Sequence, residues 1–543
     1  MTQFHPRPQL KREHWMSLDG EWKLNDSTAV VPFPPQSKLS GYSGSEFERL
    51  VYSREFSIPS DFIFPRTLLH FGAVDQIAAV FINGKLVGQH EGGYLPFSFD
   101  ISKFISKDGI NNLTVKCVDT LSTTYPYGKQ TKKPGGMWYT PVSGIWQTVW
   151  LENVPNNYIT GLKMTPDLTG VTIELEGEIS EFRALIETDE KSLTFDFSGK
   201  TGRIDIEKPI LWDTDNPHIY NMTIIAGEDS VNTYFALRQI RINNICGINR
   251  ICLNDKPVFL HGVLDQGYFF DGIFTPKDVT EYERDILRMK KLGFNTLRKH
   301  IKIEPDIFYY YCDLHGMLVM QDMVNSGSYS FFKDTLLPTI GFKNRKDWKM
   351  GNAAEEKRRE FFTNHMLDTI EHLYNHPSVI AYTIFNEGWG QFESDMMYQI
   401  AHKSDPTRLY DSTSGWFRQM ESDFDSEHVY FRTKKLKPNT RPMLLSECGG
   451  FTYKIAEHCY NQKKTYGYGS CKSVEVLTDR ICDMYEKMVL PAIPNGLCGC
   501  IYTQLSDIEE ELNGFYTYDR EICKVEKNKI QHIAKKIASA IMF

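Results

Sequence analysis

The sequence shows no long hydrophobic run and no excess of positive charge. No apolar stretch approaches the roughly 18 residues that a helix needs to cross a bilayer. The opening Met1–Pro6 has neither a basic nor an apolar segment, so no secretory signal is visible. A net charge of −8 argues against nucleic acid or an anionic membrane as the main partner. We therefore expect a soluble, cytoplasmic protein.

Cysteine is present, but not in a pattern typical of disulfides or zinc sites. The 11 cysteines are odd in number and scattered, and no C-x-x-C pair occurs among them. Cys498 and Cys500 are the closest pair, and they lie within an apolar, strand-like run. Reduced and mostly buried thiols explain this pattern best. We predict no zinc site, no other metal and no cofactor.

Short strands and turns dominate the first 242 residues. Residues 1–155 alternate strand-like segments such as Leu113–Val118 with turn pairs such as Asn83 and Gly84, and no useful helical period appears. Residues 156–242 repeat this style over a length that suits an immunoglobulin-like sandwich. The sequence therefore predicts two all-β sandwich domains before the third.

The pattern changes after about residue 243. Strand-like and helix-like segments alternate through residues 243–543, which is typical of parallel β/α architecture. We predict eight strands there, the fourth at Val379–Asn386 and the sixth at His428–Phe431, with no clear helix between the sixth and the seventh. Eight is the strand count of a (β/α)8 TIM barrel. The expected fold class is therefore multidomain, with two N-terminal β-sandwiches and a C-terminal TIM barrel.

Two predicted barrel strands end in glutamate. The fourth runs to Glu387 through Thr383-Ile-Phe-Asn, and the seventh runs to Glu447 through Met443-Leu-Leu-Ser. Reacting groups of such barrels lie at the C-terminal ends of strands, and paired carboxylates carry out glycoside hydrolysis. One carboxyl must stay protonated as general acid while the other is ionised. The alternative is that each glutamate is a solvated strand-end residue capping the next loop.

Several motifs in the same order resemble those of one enzyme family. They are Arg7–Leu10, Leu18–Lys23, Ser143–Glu152, Leu211–Tyr220, and Asn375–Val379 followed by Asn386 and Glu387. Together they resemble glycoside hydrolase family 2, the β-galactosidase, β-glucuronidase and β-mannosidase group, over essentially the whole chain. The resemblance implies that the first sandwich is a sugar-binding jelly roll and the second is immunoglobulin-like.

The resemblance also implies a retaining double displacement. Glu387 matches the acid/base of the family and Glu447 its nucleophile. Asn386 resembles the asparagine that bonds the sugar 2-hydroxyl, and Tyr430 matches the tyrosine that contacts the nucleophile. A phenol donating to Glu447 would favour its ionised form. A strand-end turn for Asn386 and a plain core position for Tyr430 stay open as alternatives.

Further substrate-binding candidates follow from the same resemblance. Arg298 aligns with an arginine that could steady the nucleophile, and His300 with a histidine that could hydrogen-bond the sugar, although either could be purely structural. The other pocket candidates are Asp265, Gln266, Trp389, Gln504 and Trp138. Asp322 ends the third strand where some members place a carboxylate near magnesium, but one carboxylate does not define a cation site.

Two departures from the family bear on the substrate. The Asn-x-Lys pair that clamps the sugar carboxylate in β-glucuronidases is replaced by Asn513-Gly514-Phe515, without the lysine. A uronic acid demands a cation, so glucuronidase activity is disfavoured unless Lys302 or Arg298 supplies the charge. Trp138 stands where many members have an aspartate, six residues before Gly144. A ring stacks on a sugar but cannot accept its hydroxyls, which weakens a strict galactose preference.

We therefore predict a retaining exo-β-glycosidase of β-galactosidase type that acts on a small-molecule or oligosaccharide β-glycoside. The alternatives are a β-glucuronidase or other uronidase, a β-mannosidase, and a catalytically silent carbohydrate-binding protein. Neither nucleic acid nor a membrane is an expected partner, and assembly into a homo-oligomer is left open.

Overall fold

The computed structural model describes residues 4–187, 192–330, 353–430 and 432–541. Two antiparallel β-sandwiches come first in the chain, and a parallel barrel follows them. No helix within these described ranges is long and apolar enough to cross a membrane. The predicted fold class is confirmed, including the TIM barrel.

The first sandwich is built from a six-stranded and a four-stranded antiparallel sheet, in the orders β3-β2-β4-β10-β7-β8 and β1-β12-β5-β9, and β6 pairs with β11 in a separate two-stranded sheet. Its strands are β1 Trp15–Ser17, β2 Gly20–Leu24, β3 Ser27–Val31, β4 Arg49–Phe56, β5 Arg66–Phe71, β6 Val74–Asp75, β7 Ile77–Ile82, β8 Lys85–Glu91, β9 Phe97–Asp100, β10 Asn111–Val118, β11 Gly144–Ile145 and β12 Val149–Val154. Side chains along β10 alternate between buried and solvent-facing, so Leu113, Val115 and Cys117 point into one core.

The second sandwich packs a three-stranded sheet against a four-stranded one, in the orders β13-β14-β17 and β16-β15-β18-β19. Its strands are β13 Gly161–Pro166, β14 Gly170–Glu176, β15 Glu181–Glu187, β16 Ser192–Ser198, β17 Thr201–Asp205, β18 Tyr220–Ala226 and β19 Asp229–Phe235. A small sheet then leads to the barrel through β20 Ile240–Ile245, β21 Ile248–Leu253 and β22 Lys256–Pro257. Ile251 of that sheet packs with Leu260 and Leu318 at the starts of barrel strands.

Eight parallel strands form the barrel, in the order β27-β26-β25-β24-β23-β30-β29-β28. They are β23 Leu260–Asp265, β24 Thr296–Lys299, β25 Leu318–Asp322, β26 Val379–Asn386, β27 Leu409–Ser414, β28 Asp425–Tyr430, β29 Met443–Gly449 and β30 Leu497–Thr503. Every residue of β26, β29 and β30 is buried. Such continuously apolar strands are expected where a parallel sheet is covered on both faces.

The described helices are α1 Thr280–Leu292, α2 Asp306–His315, α3 Ala353–His372, α4 Ser394–Ser404, α5 Val474–Met484 and α6 Lys527–Ile541. Each follows a barrel strand along the chain, but no α-helix is described between β27 and β28 or between β28 and β29. The sixth strand was expected at His428–Phe431, but it runs from Asp425 to Tyr430, and Phe431 lies outside the described residues. The strand ends gather at one rim of the barrel, where both glutamates lie.

Candidate active site

The two glutamates face each other across the barrel rim. One carboxylate oxygen of Glu387 lies within 4.8 Å of one carboxylate oxygen of Glu447. The Glu387 side chain is 17% exposed and that of Glu447 is 7% exposed. A solvated cap on a strand end would be far more open than either. The pairing therefore contradicts the solvated-cap alternative for both residues.

The turn after β26 places Glu387. Its backbone lies in the left-handed region, with a φ of 52°, and Gly388 continues with a φ of 76°. A Cβ on Gly388 would lie 2.5 Å from the Phe417 ring, so this turn needs glycine there. Backbone strain of this kind in a non-glycine residue is typical of functional sites.

Glu447 is bound through both of its oxygens. Arg298 Nη1 donates to Oε1 at 3.1 Å, and the Tyr430 hydroxyl donates to Oε2 at 2.6 Å. Burial alone would raise the pKa of Glu447, but the nearby charges of His428 and Arg298 hold that pKa well below its usual range. Glu447 is therefore ionised at neutral pH, as a nucleophilic carboxylate must be.

The fully buried Arg298 ties three strands together beneath the site. Its Nε donates to Asp322 at 3.0 Å, and its Nη2 donates to the Asn386 side-chain oxygen at 3.0 Å. The Asn386 amide is thereby oriented with its nitrogen away from Arg298, since the oxygen is already engaged. Arg298 is fully buried and its charge is already paired with Asp322 and Glu447, so it is not a free cation for a sugar carboxylate.

His300 is held in one tautomer. Its Nδ1 lies 2.6 Å from Asp322 Oδ2, while burial and the charge of Lys129 lower the pKa of His300 to about 4. The neutral ring therefore donates from Nδ1 and keeps Nε2 as an acceptor. That Nε2 is buried and has no hydrogen-bond partner among the described residues. A sugar hydroxyl is a suitable donor for it.

The phenol of Tyr430 should contribute directly to nucleophile reactivity. Burial and the charge of Glu447 raise its pKa well above the usual value, so it stays a donor. A hydrogen bond to a charged group contributes roughly 1.5–3 kcal/mol. We expect Tyr430→Phe to lower kcat/KM by roughly 10- to 100-fold, measured with an aryl glycoside. The ring stack on Tyr468, at 4.3 Å, survives in this variant, so an unchanged rate would contradict the role.

His428 was missed by sequence reasoning. It lies on β28 with its Nδ1 2.7 Å from Glu387 Oε1 and its Nε2 3.6 Å from Glu447 Oε1. The sequence did contain a signal for His428, because residues two apart on a strand share a face. His428 therefore had to point the same way as Tyr430, toward the same pair of carboxylates.

Aromatic rings form one wall near Glu387. The Trp389 ring lies 4.9 Å from Trp138 and 5.6 Å from Tyr127, and Trp138 lies 5.0 Å from Tyr329. Trp389 is 4% exposed, and its Nε1 donates to Gly327 O at 3.0 Å. Trp138 and Tyr127 come from the first sandwich, so that part of the chain contributes to the rim of the barrel.

A chain of amides links the ends of β23 and β30. Gln266 Nε2 donates to Gln504 Oε1 at 2.8 Å, and Gln504 Nε2 donates to Asn513 Oδ1 at 2.9 Å. Asn513 Nδ2 in turn donates to Glu511 Oε1 at 2.9 Å. The other oxygen of Glu511 accepts from the Tyr139 hydroxyl. Glu511 and Asn513 thus present a buried carboxylate and an amide, while the two buried cations that follow them, Arg520 and Lys524, are paired with Asp285 and Asp507.

Two family models match this chain. The one described as glycosyl hydrolases family 2, sugar binding domain, matches residues 38–155. The one described as glycosyl hydrolases family 2, TIM barrel domain, matches residues 245–491. The chain belongs to glycoside hydrolase family 2.

Curated relatives of this family 2 chain carry two different activities in their names. A β-galactosidase from Thermoanaerobacter pseudethanolicus is 26% identical over 459 residues, and a putative β-glucuronidase from Formosa agariphila is 24% identical over 442. The matches cover 78% and 74% of this chain but 57% and 48% of those proteins. The chain thus spans about half the length of the curated relatives it matches.

Solved structures similar to this family 2 chain include β-D-glucuronidase from Dictyoglomus thermophilum, with a TM-score of 0.77 and 18% identity. A β-glucuronidase from Ruminococcus gnavus gives a TM-score of 0.77 and 17% identity. The matches cover 97% and 98% of this chain and 98% and 100% of those chains. At this identity, the likeness establishes the shared fold.

Asp265 and Lys302, which the sequence suggested as pocket residues of this family 2 chain, are held by ion pairs within the protein. Asp265 Oδ2 accepts from Lys299 at 2.7 Å, and its Oδ1 accepts from Gly267 N at 2.9 Å. Lys302 donates to Glu304 at 2.9 Å and also to two backbone carbonyls. Since its charge is already neutralised, Lys302 is not a free cation for a sugar carboxylate, which corrects that hypothesis.

A different lysine, Lys129, reaches the site from the first sandwich. It is half-buried, and no hydrogen bond or ion pair of its side chain is described within the ranges that the structure covers. Its neighbour Gly128 packs against Ile301 O, next to His300. Its charge acts on both His300 and Glu447, lowering the pKa of each. No sequence motif singles it out, because it lies on a loop of another sheet.

The same carboxylates are compact enough to surround a cation. In the part of the chain that the structure describes, Glu387, His428 and Glu447 form a group whose ligand atoms lie within 4.8 Å of one another. Protein hydrogen bonds already account for these atoms. Asp322 is equally engaged, since its two oxygens are bonded to Arg298 and His300. The absence of a metal and a cofactor stays a prediction.

Proposed function

We propose that this chain is a retaining exo-β-glycosidase, which removes a terminal non-reducing β-linked sugar by double displacement. The observation that carries the proposal is the short separation of Glu387 and Glu447, with oxygens within 4.8 Å. Retaining enzymes hold their carboxyls about 5–5.5 Å apart, whereas inverting enzymes need roughly 6.5–9.5 Å to admit a water. The narrow gap supports direct attack by one carboxylate.

The surroundings of each glutamate support its role. Glu447 is ionised and hydrogen-bonded, as a nucleophile must be, so we assign it the attack on the anomeric carbon. Glu387 is the more exposed of the two and adjoins the aromatic wall, so we assign it proton transfer to the leaving group. Asn386 and His300 offer a donor and an acceptor to sugar hydroxyls.

Exo action is supported by the first sandwich. Tyr139 bonds the Glu511 segment beyond β30, and Trp138 contacts Trp389 beyond β26. Residues 127–139 therefore cover the rim of the barrel on two sides. A pocket closed in this way accommodates the end of a glycan better than its middle.

The rival function is carbohydrate binding without catalysis. A panel of nitrophenyl glycosides separates the two, and it should include the galactoside, glucuronide, glucoside and mannoside. We expect release from at least one sugar, with proton NMR showing the β-anomer as the first product. No release from any sugar would refute the enzyme proposal, and an α-anomer would refute retention.

For the sugar itself, we propose a neutral β-galactoside-type substrate. The segment after β30 supports this choice, because Glu511 and Asn513 place a carboxylate and an amide where a uronide needs a cation. β-Galactosidases among the relatives agree with it. A β-glucuronidase from Ruminococcus gnavus, solved with D-glucuronic acid, shares the fold at only 18% identity. Lys129 is the one feature described here that favours a uronide.

The ratio of galactoside to glucuronide hydrolysis tests this choice. A buried sugar carboxylate without a charged partner costs several kcal/mol, and about 1.4 kcal/mol is tenfold. We therefore expect kcat/KM for the galactoside to exceed that for the glucuronide by at least about a hundredfold. Strong glucuronidase activity would overturn the prediction.

Lys129→Met shows whether that lysine supplies a cation. If the parent favours galactoside, the variant should keep the preference. If the parent favours glucuronide, selective loss of that activity would identify Lys129 as the carboxylate partner. Lys132→Met is the matched control, because Lys132 is on the same loop but is exposed and paired with Glu48.

A further inference from the structure

His428 lies between the two carboxylates and touches both. It is directly opposite Glu447 in the pairing of β28 with β29. Its Nδ1 is 2.7 Å from Glu387 Oε1, and its Nε2 is 3.6 Å from Glu447 Oε1. The side chain is completely enclosed.

Two neighbours favour a proton on Nε2. Glu447 Oε1, which carries negative charge, lies 3.6 Å from Nε2. Ser414 Oγ lies 2.9 Å from Nε2 and donates to Ser446 Oγ at 3.1 Å. A serine hydroxyl has only one proton, so this orientation leaves Ser414 Oγ as an acceptor for Nε2.

This arrangement leaves a single proton between His428 Nδ1 and Glu387 Oε1. With Nε2 protonated, the 2.7 Å contact holds one proton, either on the carboxyl group or on Nδ1. We propose that His428 is a positioning residue, which shares with Glu387 the single proton of the acid step and strengthens Glu387 as base in the second step. This inference rests on the proposed function.

The proton that Glu387 and His428 release in the first step is recovered in the second. In the first step, a Glu447 oxygen bonds to the anomeric carbon while the bond to the leaving oxygen breaks. That oxygen takes the electron pair and receives the shared proton through Glu387. The Glu387 carboxylate then faces the Nδ1 lone pair at 2.7 Å, and their repulsion makes the pair a stronger base.

In the second step, a water oxygen bonds to the anomeric carbon and the ester bond to Glu447 breaks. The electron pair returns to the Glu447 carboxylate, and one water proton returns to the pair formed by Glu387 and His428. One water is consumed and one glycosidic bond is cleaved. No further reactant is required.

Few other charged groups face His428. Asp411 acts on it from β27, where burial raises the pKa of Asp411 to about 6. The Tyr430 ring lies 6.1 Å away on β28, and its hydroxyl bonds Glu447. Arg298 reaches the cluster through Glu447. Of the groups named here, only Glu387 makes a hydrogen bond to Nδ1.

His428→Gln tests the inference through the pH profile. The glutamine amide would donate to Glu387 and favour its ionised form. For a glycoside with a poor leaving group, we expect the alkaline limb of the kcat/KM profile to move to lower pH by at least about one unit. An unchanged limb would overturn the proposal.

Rescue by azide distinguishes a role of His428 in proton transfer from a structural role. With an activated aryl glycoside, kcat of His428→Gln should fall roughly 10- to 100-fold, because the second step needs the base. Azide needs no base, so it should restore turnover and give the β-glycosyl azide. Inactivation by a dinitrophenyl 2-fluoroglycoside needs no acid and should keep its rate. Slow inactivation, or no effect of azide, would show a structural role and contradict the proposal.

A second variant covers the case in which His428→Gln does not fold. Ser414→Ala removes the acceptor that holds the proton on Nε2, so it should give the same changes at smaller size. If Ser414→Ala keeps the pH profile and the kcat of the parent, the assignment of a proton to His428 Nε2 is contradicted. If the parent itself hydrolyses no glycoside, the proposed function fails first, and the two failures are thus distinguishable.

Discussion

Glu447→Ala abolishes hydrolysis of every glycoside that the parent cleaves. Without the carboxylate, no covalent glycosyl intermediate can form, and the protein cannot divide the displacement into two steps. Removal of a nucleophile from other hydrolases lowers kcat by on the order of 10⁶-fold, and we expect a loss of similar size. The measurement is steady-state release of nitrophenol from the best substrate.

Azide identifies the reason for that loss. It can enter the space left by the carboxylate and attack the anomeric carbon once, so the product should be the α-glycosyl azide. Glu427→Ala is the matched control, because Glu427 is on the neighbouring strand and pairs outward with Arg418 and Lys434. It should keep parental activity. A β-glycosyl azide, or substantial hydrolysis by Glu447→Ala, would contradict the assignment.

Glu387→Gln has an effect that depends on the leaving group. General acid catalysis contributes roughly 10²- to 10⁴-fold, and poor leaving groups need all of it. We therefore expect kcat/KM to fall by that factor for alkyl or sugar aglycones. For dinitrophenyl glycosides, the first step should hardly change, because their phenolate departs without a proton.

A plot of log kcat/KM against the acidity of the leaving phenol measures this dependence, and it should be steeper for Glu387→Gln than for the parent. Azide should raise kcat and give the β-glycosyl azide, the opposite anomer from that of Glu447→Ala. Glu393→Gln is the control, since Glu393 lies in the same loop but is 56% exposed. Equal slowing for every leaving group would rule out the acid role.

The sequence alone determined the architecture. Strand-like segments separated by turn residues predicted both sandwiches, and the change of pattern near residue 243 predicted the barrel. The fourth strand was predicted at Val379–Asn386, where it lies, because a continuous apolar run bounded by turn residues leaves little choice. Both glutamates were predicted to face each other at the rim, and their oxygens lie within 4.8 Å; their catalytic roles stay predictions.

Only the tertiary structure decided which groups surround those glutamates. Lys302 and Arg298 looked equally available as cations, yet both are engaged. Lys302 is paired with Glu304 and also donates to the Gly267 carbonyl, and Arg298 is paired with Glu447 from a distant strand. Lys129 comes from a loop of the first sandwich. The residue pattern along one strand predicts the face on which a side chain lies. It does not predict which side chain from another strand or loop will contact it.

His428 shows where this boundary lies. Strand alternation places it on the face of Tyr430, so its direction was available from the sequence. The role that we propose for His428 depends on its 2.7 Å contact with Glu387 and its 2.9 Å contact with Ser414. These two residues belong to other segments of the barrel. Hydrogen bonds are sensitive to a few tenths of an ångström. Such distances are set by closure of the whole barrel, and no stretch of sequence encodes them separately.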